Sequence, residues 1–345
     1  MSQITALAPE ELVGRLGLDS TYRGRQIFRW IHRRKVFDFK LMSDLPLALR
    51  ERLGSVEALL SLKAGQSLQD TDGTLKVALE LEDGAAVEAV LMEDRAGRRT
   101  ACLSTQVGCG MGCLFCRTGQ LGFKRNLTAY ELVEQLLELR AGWGEVDNLV
   151  FMGMGEPLAN LENLRRAVKV FNHAEGLGMS LRRMTLSTCG LAAGIRSLAA
   201  AGPPLRLALS LVSADPRLRE QLMPISRRNP LPEVRRALLD YQKATGKRIT
   251  LEIVLMEGVN DRPEDVRKLL EFVRGYGADG LKVMVNLIPW NRTPGYDFRE
   301  PSGERLQRFS DQIQAAGIAV TTRLKRGRGV TGACGQLGSS GPARP

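Results

Sequence analysis

The chain has 345 residues, 43% of them hydrophobic and 25% charged, the make-up of an ordinary folded protein, which excludes wholesale disorder and collagen-like structure. Lys and Arg number 49 against 38 Asp and Glu, a net charge of +11, and such a surplus suits an anionic partner such as nucleic acid. No stretch approaches the roughly 18 apolar residues of a membrane span. The opening MSQITALAPEEL lacks the layout of a secretory signal, and six cysteines are too sparse for a disulfide scaffold. A cytoplasmic protein of about two domains is expected.

Residues 1–54 read as a helical, basic unit. Ala8-Pro9-Glu10-Glu11-Leu12 opens one helix, and Tyr22 to Val36 forms another with Ile27, Phe28, Trp30 and Ile31 as its apolar stripe. Its other positions hold Arg23, Arg25, Arg29, Arg33, Arg34 and Lys35 without neighbouring acids. Two readings stand: a solvated face, or a phosphate-contacting face that makes this an RNA-binding accessory unit. Over 55–99 the pattern turns to strands: Thr74 to Leu81 alternates, Glu82-Asp83-Gly84 turns, and Ala85 to Met92 returns as the hairpin partner.

From 100 to 325 strand and helix alternate. Strand-like runs are Thr100–Val107, Asn148–Met152, Met184–Ser187, Leu205–Val212, Thr250–Met256 and Leu281–Ile288, with helices beginning near Thr128, Asn160, Leu191, Leu231, Pro263 and Ser302. Six such units predict an α/β fold with a parallel sheet and outer helices, as an open barrel or a doubly wound layer. Ligands then collect at the carboxyl ends of the strands. Residues 326–345 form a terminal loop and tail.

Cys109-Gly-Met-Gly-Cys113-Leu-Phe-Cys116 follows the first of these strands. Three thiolates on a short Gly-rich loop can converge on one soft centre and leave a coordination position open. A zinc knuckle needs a fourth ligand nearby, and the chain's two histidines, His32 and His173, are remote in sequence. An iron–sulfur cluster is the better match. The spacing, with Phe115 before the last cysteine, resembles the radical S-adenosylmethionine (SAM) superfamily, as does Gly153-Met-Gly155-Glu156-Pro157. The likeness narrows through Ala101-Cys102-Leu-Ser-Thr-Gln-Val-Gly-Cys109, Thr185-Leu-Ser-Thr188, Val285-Asn286-Leu-Ile-Pro-Trp-Asn291 and Gly332-Ala-Cys334-Gly-Gln-Leu337. These motifs stand in the order of the RlmN/Cfr family, which methylates adenine carbons in RNA, and the likeness runs from about Tyr22 to Leu337.

That resemblance implies a partial (β/α)6 barrel with a helical accessory unit and a β-hairpin extension. It implies one [4Fe–4S] cluster on Cys109, Cys113 and Cys116, and two SAM molecules per turnover, one a methyl donor and one the source of a 5′-deoxyadenosyl radical. By the same likeness Cys334 carries the methyl group and becomes joined to RNA, Cys102 resolves the adduct as a Cys102–Cys334 disulfide, and Glu88 accepts the ring proton. SAM contacts fall on Gly155, Glu156, Ser187, Ser210, Leu211, Val212 and Asn286, while Cys189 has only a structural role. Expected partners are 23S rRNA and tRNA, with a flavodoxin-like or other one-electron reductant, and the expected state is a monomer.

The chain departs from the family pattern at Val212, where His is usual. It also has Arg326 and Arg328 before Cys334 where acids are usual, a change that makes the loop more cationic toward RNA. The leading expectation is methylation of adenine C2. Its alternatives are C8 methylation as in the Cfr branch, a methylthiotransferase with a second cluster, and an RNA-binding iron–sulfur protein without methyl transfer.

Overall fold

The structure, a computed structural model, describes residues 4–56, 59–275, 280–323 and 326–338. Three helices open the chain: α1 (Pro9–Leu16), α2 (Thr21–His32) and α3 (Leu47–Val56). Strands β1 (Lys63–Gln69), β2 (Leu75–Glu80), β3 (Ala86–Glu93) and β4 (Arg99–Cys102) then form an antiparallel meander. A separate antiparallel pair, β5 (Gln106–Gly108) and β6 (Phe123–Asn126), brackets the cysteine loop and the short α4 (Arg117–Gln120). The repeat follows as α5 (Ala129–Trp143), β7 (Asn148–Phe151), α6 (Leu161–Asn172), β8 (Met184–Thr188), α7 (Ala192–Ala201), β9 (Arg206–Ser210), α8 (Pro216–Leu222), α9 (Leu231–Thr245), β10 (Ile249–Leu255), α10 (Pro263–Arg274), β11 (Val283–Pro289), α11 (Gly303–Ala315) and β12 (Ala319–Thr322).

Ten strands share one sheet in the order β1-β2-β3-β4-β7-β8-β9-β10-β11-β12, and every neighbouring pair from β4 onward is parallel. The sheet's two edge strands, β1 and β12, are not paired to each other, so the barrel is open. Parallel strands covered by helices are apolar on both faces; in β7, Leu149, Val150 and Phe151 are all buried. Helix α6 shows the complementary stripe, burying Leu161, Leu164, Ala167, Val168 and Phe171 at helical spacing. Local signals place the helix starts. Thr128 caps α5 in a reciprocal box with Glu131, and the Asp215 carboxylate accepts from Arg217 and Leu218 at the start of α8.

The structure corrects three readings. The run Thr100–Val107 is two strands, because the chain turns at Leu103–Thr105: Leu103 N–H reaches Val150 O at 2.9 Å, and the Thr105 and Gln106 amides both donate to Met154 O. That turn lifts the cysteine loop over the sheet's end. Helix α2 stops at His32, not Val36; Lys35 takes a left-handed φ of 56° and the Val36 amide folds back to Trp30 O. The cations of α2 and the residues just after it also have partners, most of them remote in sequence. Arg29 pairs with Glu175 at 2.5 Å, Lys35 pairs with Glu145 at 2.9 Å, Arg33 donates to the carbonyls of Ala174 and Gly176, and Arg34 lies over the Trp30 ring. Arg29, Arg33 and Lys35 thus help dock this segment onto the barrel.

That docking has a polar centre at Glu134 of α5, which is wholly buried and accepts from Thr5 Oγ1, Ser61 N, Ser61 Oγ and Leu62 N at 2.7–3.0 Å. Burial raises this carboxyl above its usual range, against the pull of those donors.

Candidate active site

Because the strands are parallel, their carboxyl ends meet along one edge, and the chemistry-bearing residues gather there. The cysteine loop crosses above it, pinned by Cys109 N–H to Gly122 O at 2.9 Å and Leu114 N–H to Leu222 O at 2.9 Å. Cys109, Cys113 and Cys116 line one chamber of about 160 Å³. Burial pushes the Cys109 thiol up to about 12, and burial with mutual repulsion raises Cys113 as well. Buried sulfurs that repel as thiolates are relieved by a cationic soft centre. Among the described residues no His, Cys, Asp or Glu triplet closes on a single point as one metal ion requires. Three thiols lining one chamber suit an iron–sulfur cluster bound at three corners.

The same chamber is lined by Gly155, Glu156, Ser187 and Ser210. Gly155 has φ +101° and a Cβ there would sit 2.6 Å from Gln106 Cβ, so the turn after β7 accepts glycine alone. Glu156 is buried, with one oxygen accepting Leu158 N–H at 3.0 Å and the other Cys189 N–H at 2.8 Å. Burial raises its carboxyl above the ordinary 4.5, and an arriving ammonium would offset that. Ser187 and Ser210 share a hydrogen bond at 3.2 Å across β8 and β9.

Leu211, Val212 and Asn286 stand one step back. The amides of Leu211 and Val212 both donate to Glu252 O, and the Val212 side chain is buried against Phe115, Met223 and Met256 at φ +60°. Asn286 Nδ2 donates to Glu252 Oε2 at 2.7 Å, and it is the Glu252 side chain that reaches the chamber wall. Cys189 is buried beside Glu156 with its carbonyl accepting from Arg219.

A second cavity of about 290 Å³ adjoins the first and is lined by Cys102, Val90, Thr100, Arg326 and Cys334. Met152, Ile288, Asn291, Arg323 and Cys334 line both. Cys334 thus sits in the partition, its carbonyl held by Asn291 Nδ2 at 3.0 Å and its sulfur 3.3 Å from Arg323 Nη1. All six cysteines are free thiols, so Cys102 and Cys334 stand unbridged. Burial, then Cys334 beside it, pushes the Cys102 thiol up to about 12. Glu88 is buried next to these residues, paired with Lys76 at 3.3 Å and accepting Gly338 N–H at 2.7 Å.

The loop ahead of Cys334 meets carboxylates from elsewhere. Asp72 accepts Gly327 N–H at 2.9 Å and Asp70 accepts Gly329 N–H at 2.8 Å, both from the β1–β2 turn. Arg328 is engaged by Glu300, Asn291 and Trp290 O, which corrects the expectation that it adds free positive charge toward RNA.

The radical SAM superfamily profile matches residues 103–273, and that of the ribosomal RNA large subunit methyltransferase N-terminal domain matches 10–59. The "Probable dual-specificity RNA methyltransferase RlmN" of Moorella thermoacetica is 47% identical, covering 95% of this chain and 94% of that protein. Its namesake in Treponema pallidum is 44% identical over 98% of this chain and 97% of its own length. The chain belongs to the RlmN family of radical SAM RNA methyltransferases. A crystal structure of a radical SAM methyltransferase from Sphaerobacter thermophilus superposes with a TM-score of 0.91 at 40% identity, covering 97% of this chain and 98% of that one. RlmN membership makes the chain an enzyme of SAM-dependent RNA methylation, and the family's chemistry uses a [4Fe–4S] cluster. No helix among the described residues is long and apolar enough to cross a membrane.

Several site residues escaped sequence reasoning. Glu252 had a faint signal, a charge inside the apolar strand Ile249-Thr-Leu-Glu-Ile-Val-Leu255. Arg323 and Lys76 had none, since their importance depends on strand register and on a loop returning from the far end of the chain.

Proposed function

We propose that this RlmN-family chain methylates C2 of a specific adenosine in 23S rRNA, and of an adenosine beside the anticodon of tRNA, through a methylated Cys334. The observation that carries this reading is the place of Cys334 in the wall between two chambers. From there its sulfur can receive a methyl group on the SAM side and present it to a base on the Cys102 side.

Adenine C2 lies between two ring nitrogens and is too electron-poor to attack an ordinary SAM methyl. When bound, the cluster and SAM supply the radical chemistry that avoids this obstacle, with one further SAM consumed as methyl donor. Cys109, Cys113 and Cys116 hold the cluster, Glu156 takes the SAM ammonium, and Ser187 and Ser210 offer hydroxyls to its polar groups. Leu211, Val212 and Asn286 shape that contact through Glu252. Arg323 keeps the Cys334 sulfur in the partition. Once RNA is joined through Cys334, Glu88 accepts the ring proton, and Cys102 attacks the Cys334 sulfur to free the product and leave a transient disulfide.

The relatives' names specify dual specificity, which supports two RNA substrates. Residues 1–54 serve as the RNA-binding accessory unit, 55–99 as the β extension, 100–325 as the radical SAM core and 326–345 as the methyl-carrying loop and tail. A flavodoxin-like one-electron donor, a cytoplasmic location and a monomeric state complete the reading.

The test is peptide mass spectrometry of the chain purified with its cluster assembled, followed by nucleoside analysis of treated RNA. A methyl-sized increase on the Cys334 peptide and 2-methyladenosine in RNA are expected. An unmodified Cys334 after incubation with SAM and reductant would overturn the mechanism, and 8-methyladenosine would overturn the C2 assignment.

A further inference from the structure

We infer that Glu252 binds the adenosyl group of SAM, accepting from one free hydroxyl of its ribose while Ser210 accepts from the other. The inference rests on the reading of the chamber of about 160 Å³ as the SAM site. A polar row crosses five adjacent parallel strands there: Ser187 on β8, Ser210 on β9, Glu252 on β10, Asn286 on β11 and Thr321 on β12. Register sets Ser210 beside Glu252, Glu252 beside Asn286, and Asn286 beside Thr321. Ser187, Ser210 and Glu252 line the chamber. Hydrogen bonds run along the row from both ends. Ser187 and Ser210 share one at 3.2 Å. Thr321 Oγ1 donates to Asn286 Oδ1 at 3.1 Å, which turns Asn286 Nδ2 toward Glu252 Oε2 at 2.7 Å. Among the described residues no hydrogen bond joins Ser210 to Glu252, and Glu252 Oε1 has no hydrogen-bond partner. The row is broken once, beside the carboxylate.

Packing does not explain Glu252. It is 6% exposed, between Leu251 and Ile253 in a strand that buries both, and glutamate is seldom so buried unless paired. The Arg323 guanidinium acts on it only at range, since its printed donors go to the sulfurs of Cys334 and Met152. A buried polar oxygen without a donor costs free energy, so the unmatched oxygen points to donors that arrive with a ligand. A vicinal diol brings two. Adjacent strands stand about 4.8 Å apart, a span over which Ser210 and Glu252 can each take one hydroxyl of such a pair. An acidic side chain in this role is a recurrent ribose contact of α/β folds. Within an RNA chain the 3′ oxygen is esterified, so the free pair belongs to SAM and not to the substrate nucleotide. The sulfonium of SAM is the competing partner for a carboxylate here, and the test separates the two.

The experiment measures Kd by equilibrium dialysis against the anaerobic, cluster-loaded full chain for three ligands: SAM, S-adenosylhomocysteine, and S-adenosylhomocysteine lacking both ribose hydroxyls. Wild type, Glu252→Gln, Glu252→Ala and Glu156→Gln are compared. Loss of a hydrogen bond to a charged group predicts that wild type prefers S-adenosylhomocysteine over its dideoxy form by at least about tenfold. In Glu252→Ala that preference should shrink to about threefold or less, the share left to Ser210. Glu252→Gln, of equal size but neutral, should fall between, and it keeps the test open should the Ala variant fail to fold. Glu156→Gln should weaken both ligands and leave the preference at its wild-type value. A preference that Glu252→Gln leaves at the wild-type value would overturn the inference. So would Glu252 variants that weaken SAM but not S-adenosylhomocysteine, the mark of a sulfonium contact. If Glu156→Gln weakens SAM while the Glu252 variants bind all three ligands as wild type does, this inference alone fails; if variants at neither position change SAM binding, the reading of the chamber as the SAM site fails with it.

Discussion

Replacing Glu156 with Gln tests the proposed ammonium contact directly. The carboxylate is buried and its two oxygens serve two backbone amides, Leu158 N–H at 3.0 Å and Cys189 N–H at 2.8 Å. Glutamine has one carbonyl oxygen, so one amide loses its acceptor and meets an NH2 group. A hydrogen bond to a charged group contributes about 1.5–3 kcal/mol, which sets the expected loss of stability at about 2 kcal/mol. For a chain of this length that lowers Tm by about 3 °C. SAM binding loses more. Breaking a buried ion pair by removing one partner costs about 3–5 kcal/mol, equivalent to about two to three orders of magnitude in Kd.

The pH dependence gives an independent sign. Burial raises the Glu156 carboxyl above 4.5, and the protonated form cannot pair with an ammonium. Wild-type affinity should therefore fall on acidification, starting at higher pH than for an exposed carboxylate, while Glu156→Gln shows no such limb. Equilibrium dialysis of SAM against anaerobic, cluster-loaded protein from pH 5 to 8 measures both effects. A Gln variant that loses Tm yet binds SAM within threefold of wild type would make Glu156 a loop clamp and refute its role in binding.

Three further outcomes are expected. In a Cys334→Ser background, alkylation of Cys102 by iodoacetamide should climb about tenfold per pH unit from 7 to 10, because burial, the largest cause of its raised thiol, remains; a plateau near pH 9 would mark an ordinary thiol. Glu134→Ala strands four donors from the N-terminal segment and should cost about 4 kcal/mol in urea unfolding at unfilled-donor penalties of about 1–3 kcal/mol each, with faster hydrogen exchange before β1; a loss under about 1 kcal/mol would contradict it. Arg326 lines the outer cavity while Arg328 is held by Glu300. Arg326→Ala should therefore flatten the salt dependence of RNA binding by about one phosphate's worth, a change of about 0.7–0.9 in log–log slope, and Arg328→Ala should not; equal slopes for both variants would count against the difference.

What was legible in the sequence was local. Thr128 with Glu131, and Ser302 ahead of Arg305, cap their helices with neighbours three residues away, so the starts of α5 and α11 are visible in a short window. The cysteine spacing is equally local. The break inside Thr100–Val107 is not, because it depends on Met154 O some fifty residues on. The cations of α2 looked unpaired for the same reason: Glu145 and Glu175 come from the barrel. The acids that the loop before Cys334 lacks in sequence are met in space by Asp70 and Asp72. Lys76, Glu88 and Thr331 come together only through sheet register and a returning C-terminal loop.

On the reading proposed above, these long-range contacts also explain why Cys334 sits on a loop rather than on a strand. A strand residue is fixed to one face by the pleat, and Cys102, at the end of β4, opens onto the outer cavity. The proposed reaction has Cys334 face SAM in one step and RNA with Cys102 in another, which calls for a segment whose restraints can be exchanged. Ala333 and Leu337 are buried on either side of Cys334, and polar contacts hold the rest: Asn291 on its carbonyl, Arg323 on its sulfur, Asp70 and Asp72 on glycine amides, Lys76 on Thr331. Each can be replaced by water or ligand at modest cost, unlike the packed apolar core beneath. The rigid parts, Glu156 and the cysteine loop, belong to the barrel edge. The proposed exchange of contacts is thus asked of the loop that carries Cys334 and not of the barrel edge.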